Sequence, residues 1–129
     1  MNPAYAANFN LYFDLSLDRW SVMFSKVAST NTVEKLMKDI RDKSKQAKVL
    51  GEDKLMREFV GAMKIHEDCL IDDESFEKSF KDNTRATVGE MAVFVNFIKT
   101  YWPKLSPVDK EAFRGDLLNM IMISEGMDV

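Results

Sequence analysis

Turn-forming residues are scarce in this chain: it has five glycines and three prolines in 129 residues. Strand-rich folds need many turns, so the scarcity excludes a meander of short strands and favours a few long helices. Soft metal ligands are scarcer still, with one histidine, His66, and one cysteine, Cys69. A lone cysteine excludes an internal disulfide. Together with an opening stretch, MNPAYAANFN, that lacks a basic region before an apolar block, it predicts an intracellular protein without a secretory signal. No apolar run approaches the roughly 20 residues needed to cross a bilayer. The densest, Met91 to Ile98, is broken by Asn96 and followed by Lys99.

What is present is a globular composition, 46% apolar and 30% charged, at a length suited to one domain. The net charge of −3 gives no general attraction to nucleic acid. It is unevenly spread. Residues 34–64 carry nine basic and six acidic side chains, whereas residues 65–82 carry two basic and seven acidic.

Apolar periodicity predicts an all-α fold, a compact bundle or orthogonal array of five to six helices. Phe9, Tyr12, Phe13, Leu17, Trp20, Phe24 and Val27 recur at helical steps over 8–28, with Leu15 and Met23 broadening the stripe. Asn31 with Glu34 reads as a capping box for a second helix, whose apolar face holds Val33, Leu36, Met37, Ile40, Ala47 and Leu50. Gly51 supplies a stop through the left-handed conformation. A third helix is expected over 53–70. A short fourth follows the acidic Asp72-Asp73-Glu74, anchored by Phe76 and Phe80. Thr87 and Glu90 form a second capping box ahead of a helix over 88–102. It is apolar nearly all round, and is therefore expected at the centre of the bundle. Pro103 ends it. Ser106, Pro107 and Asp109 give the clearest helix start in the chain.

Little in the sequence suggests catalysis. His66 and Cys69, three apart, share a helix face, but structural zinc normally takes four Cys or His ligands. No zinc site is expected. The run Asp72 to Glu77 lacks the glycine and alternating oxygens of a calcium loop, and suits a helix N-terminus instead. Single scattered glycines exclude a phosphate-binding loop. The chain is read as a non-enzyme with no cofactor.

Contact surfaces remain. Lys38, Arg41, Lys45 and Lys48 form a basic stripe on the second helix, diluted by Asp39 and Asp42 and lacking interleaved aromatics, so a solvated face is favoured over nucleic-acid binding. The terminal segments are unusually apolar. From 117 to 123 only Asn119 is polar, and nine methionines suit adaptable contacts. Tyr5, Phe9 and Tyr12 near one end, with Met120, Met122 and Ile123 near the other, are either core or a partner-binding face, with residues 1–7 and 124–129 flexible or ordered by a partner. The reading is a protein–protein interaction or structural subunit of a larger assembly, a profile that also fits a viral accessory protein. An adaptor or inhibitor of one enzyme is the alternative, and nucleic-acid association through the second helix a further one.

Overall fold

A computed structural model describes residues 3–64, 67–70, 72–82 and 92–126. Among them the secondary structure is entirely helical: α1 (Pro3–Phe24), α2 (Thr30–Leu50), α3 (Lys54–Lys64), α4 (Asp73–Asp82), α5 (Ala92–Tyr101) and α6 (Pro107–Ser124). Two single-turn 3₁₀ segments, Glu67–Cys69 and Trp102–Lys104, link α3 to α4 and α5 to α6.

The boundaries follow local chemistry. Pro3 opens α1, where its missing N–H is no loss. α2 starts earlier than the Asn31 box predicts, because Ser29 is the cap: its Oγ accepts from the Thr32 N–H at 3.2 Å. At Gly51 the backbone is extended, with φ 172°, and its N–H bonds to the Ala47 carbonyl. That conformation is open to any residue, so the expected left-handed stop is not used there. α4 is capped by Asp72, whose carboxylate accepts from the Ser75 N–H at 2.7 Å. This backbone bond holds the Asp72 carboxyl below its ordinary pKa. The expected start of α6 is realised, with Ser106 Oγ accepting from the Asp109 N–H at 3.1 Å. Pro103 sits in the turn that ends α5. The Thr87–Glu90 box, His66 and the side chain of Phe80 lie outside the described residues.

The centre of the bundle is α1, not α5. α1 lies against α2, α3 and α6, most extensively against α6. α5 keeps Phe94, Val95, Phe97 and Ile98 inside, but leaves Val93 and Asn96 on the surface beside the N-terminal half of α2. Two aromatic clusters build the core. Phe13 meets Phe59 edge-on at 5.2 Å between ring centres, with Phe9 stacked beside it, joining α1 to α3. Phe113 of α6 is the hub of the second: its ring lies 4.6 Å from Trp20, 5.6 Å from Trp102 and within 6.3 Å of Phe24, Phe76 and Phe94. One side chain thereby ties α6 to α1, α4, α5 and the turn after α5. Each such ring removes about 1.5–3 kcal/mol worth of apolar surface from water.

On α2 the inner face includes Ser44, 3% exposed, whereas Leu50, expected inside, is 72% exposed. At 100° per residue Leu50 is about a quarter turn from the centre of the Val33–Ile40–Ser44 face.

Candidate interaction face of α1

Two faces of α1 carry the features that bear on function, and they have opposite characters. The inner face is held to α6 by a buried polar cluster as well as by apolar packing. Asp116 of α6 is 7% exposed. Its Oδ1 accepts from the Tyr12 hydroxyl and from Arg19 Nη2, both at 2.8 Å, and its Oδ2 accepts from Trp20 Nε1 at 2.9 Å. Arg19 Nε reaches Oδ2 at 3.4 Å, completing a bidentate pair. Arg19 Nη2 also donates to the enclosed Ser16 hydroxyl at 2.9 Å, and Asn119 Nδ2 donates to the Tyr12 oxygen at 2.8 Å.

A buried carboxylate is costly unless paired and fully hydrogen-bonded, and here three side chains of α1 supply the donors. Burial, partly offset by the hydrogen bond from Asn119 and assisted by the one to Asp116, raises the Tyr12 pKa above its ordinary value. The bond to Asp116 raises that of Arg19. Both Asp116 oxygens are occupied by side chains of α1, so the cluster orients two helices.

This arrangement decides where the terminal residues lie. Phe9, Met120 and Ile123 are enclosed in the core, so the partner-facing role considered for them is corrected: they are unavailable to a partner in the folded chain. The reason is that the two apolar ends of the chain cover each other as α1 and α6. Tyr12 is half-buried with its hydroxyl in the cluster, Tyr5 is half-buried, and Met122 is half-buried on α6. The Tyr5 ring lies over Gly126, the one glycine with positive φ (83°) among the described residues; a Cβ there would come within 2.5 Å of the ring. Pro3 to Ala7 belong to α1, and α6 continues to Ser124.

The basic stripe is partly consumed by the fold. Arg41 pairs with Asp18, and Lys48 with Asp14 at 3.2 Å, so two of its four cations clamp α2 to α1. Lys38 and Lys45 are exposed. Cys69 is half-buried and free of disulfide, and no group of three or more His, Cys, Asp or Glu side chains converges among the described residues.

A cavity of about 80 Å³ lies between α1, α2, α3 and α5, floored by Phe13, Leu17, Trp20, Phe59 and Phe94. Ser44 lines it, and its hydroxyl has no hydrogen-bond partner among the described residues. The space is well below the several hundred Å³ of ordinary small-molecule sites.

The outer face of α1 is different. Leu11 is 63% exposed, Leu15 48% and Val22 67%, and Ala4 and Ala7 are exposed on the same side. Leu15 therefore belongs to this face, not to the inner stripe it was expected to broaden. Its neighbours Phe13 and Leu17 are both buried. The outer row was not singled out from sequence because the stronger aromatic row on the same helix dominates the pattern. The signal that could have found it is the step from Leu11 to Leu15 to Val22, four and seven residues, which returns to one side of a helix. No helix of the described residues is long and apolar enough to cross a membrane. Comparison with protein-family models, with curated proteins and with solved structures finds no match to this chain.

Proposed function

We propose that this chain is a non-catalytic interaction or structural subunit of a larger intracellular assembly, and that the outer face of α1 is its docking surface. One observation carries the reading: three large aliphatic side chains, Leu11, Leu15 and Val22, are between 48% and 67% exposed along one line of a helix whose other side is the middle of the core. Scattered exposed aliphatics are ordinary, but an aligned row on a rigid helix is the form taken by helix-in-groove and helix–helix contacts. The inner face, locked by the Asp116 cluster, keeps that row straight and fixed in direction. Binding along it therefore requires little ordering.

The internal pairing of Arg41 and Lys48 supports this choice over nucleic-acid association, since it leaves the α2 stripe poor in charge for phosphates. The test is affinity capture from the native source with the wild-type chain and with Leu11→Glu and Leu15→Glu variants. A stoichiometric companion retained by the wild type and lost by both variants is expected. A companion retained equally by all three would move the docking surface off α1.

A further inference from the structure

The outer row of α1 reads the same from either end. Ala4, Asn8, Leu11, Leu15, Asp18 and Val22 are all exposed, and they follow one another at steps of four, three, four, three and four residues. That alternation is the 3.5-residue spacing with which two helices keep a common seam. The chemical order along it is apolar, polar, apolar, apolar, polar, apolar.

A palindrome of this kind is what an isologous contact needs, because in a two-fold dimer one patch must complement itself. We infer that a second copy of this chain docks here, α1 antiparallel to α1, about a two-fold axis level with Phe13; the assignment rests on the reading of this face as the docking surface. In that register Leu11 of one protomer lies against Leu15 of the other and Ala4 against Val22. The Asn8 amide faces the Asp18 carboxylate, to which it can donate. Each pairing occurs twice. Apolar positions meet apolar ones and the two polar positions meet each other. A parallel pairing in register would set Asn8 against Asn8 and Asp18, already paired with Arg41, against Asp18, so the hydrogen bond from Asn8 to Asp18 would be lost. The Asp14 side chains nearest the axis are each already neutralised by Lys48, which removes the main repulsion along the rim.

The charge around the row also selects among occupants. The charges beside it are paired within the protomer, Asp14 with Lys48 and Arg19 with Asp116, where a helix lying on an anionic lipid surface would carry a lysine-rich border. The row from Ala4 to Val22 is about 27 Å long at 1.5 Å per residue. One helix face of that length buries less than the roughly 800 Å² per partner of a standard interface, which places the dimer among weak associations.

Sedimentation equilibrium of the full chain from about 10 µM to about 1 mM reads this directly. A monomer–dimer equilibrium is expected, weakened at least about tenfold, the equivalent of 1.4 kcal/mol, by Leu15→Glu with an unchanged helical spectrum. Orientation is read by mixing Ala4→Cys and Val22→Cys chains, each also carrying Cys69→Ser, under mild oxidation. The mixed 4–22 disulfide should dominate over 4–4 and 22–22. Symmetric disulfides in excess would overturn the antiparallel arrangement. A wild type that stays monomeric at about 1 mM overturns the second-copy assignment, and so does Leu15-dependent sedimentation with anionic phospholipid vesicles by a chain that never dimerises. In either case, Leu15-dependent capture of another protein would leave the docking reading of α1 standing. Dimerisation indifferent to both Leu11→Glu and Leu15→Glu would overturn both.

Discussion

Asp116 and Ser44 show how differently two buried polar side chains can behave in one core. Asp116 has donors for both oxygens, so truncating it strands them. Arg19, with a side chain 47% exposed, can turn to water, but Trp20 Nε1 is fully enclosed and cannot. Asp116→Ala should therefore destabilise the fold by about 2–4 kcal/mol, read from urea midpoints. A loss below about 0.5 kcal/mol would mean that the cluster does not hold α1 to α6. Ser44 has no hydrogen-bond partner among the described residues, and alanine is the better helix former. Ser44→Ala is expected to be neutral or to stabilise by up to about 1 kcal/mol, and clear destabilisation would reveal a hydrogen bond this account lacks. The Tyr12 hydroxyl adds a pH signature. Its folded pKa lies above the ordinary 10.0, so folding favours the protonated phenol. That contribution is complete below pH about 10 and is lost as pH rises through the higher folded value. Ultraviolet titration should show a late ionising step that Tyr12→Phe removes, and a late step that survives in the variant would mean that it does not belong to Tyr12.

At the scale of the helices, capping and core periodicity were legible in the sequence and tertiary pairing was not. The start of α6 could be read from Ser106-Pro107-x-Asp109 because every partner lies within one turn. Ser106→Ala should cost about 1 kcal/mol by thermal melting, whereas Asp18→Asn, which breaks an exposed ion pair to Arg41, should cost no more than about 0.5 kcal/mol. The reverse order would show that the α1–α2 clamp is stronger than exposed pairs usually are. At α2 the cap is Ser29, although Asn31 with Glu34 has the spacing of a capping box; a serine two residues upstream offers the same short oxygen, and no local rule separates them. Asp116 gave no signal at all, since its partners are about a hundred residues away. Leu50 misled because a three-residue step from Ala47 is close to the face without being on it.

For the whole molecule, the terminal segments posed the question that sequence alone left open, whether their apolar residues were core or contact. The two possibilities separate by face. α6 and the inner side of α1 satisfy each other, which places Phe9, Met120 and Ile123 inside, and the surplus apolar surface emerges on the outer side of α1 at Leu11, Leu15 and Val22. Periodicity could not show this, because it reports that a helix has an apolar side without saying how many sides find a neighbour. On the proposed reading α1 is core on one side and docking surface on the other. Thermal melts monitored by circular dichroism, with light scattering on the same samples, test it most directly in wild type, Leu15→Glu and Met120→Glu. Met120→Glu should lower stability by several kcal/mol, as a charge placed in a packed core does. Leu15→Glu should melt within a few degrees of wild type, as a surface change does, while abolishing association. A Leu15→Glu chain that unfolds with Met120→Glu, or that associates as the wild type does, would contradict the account.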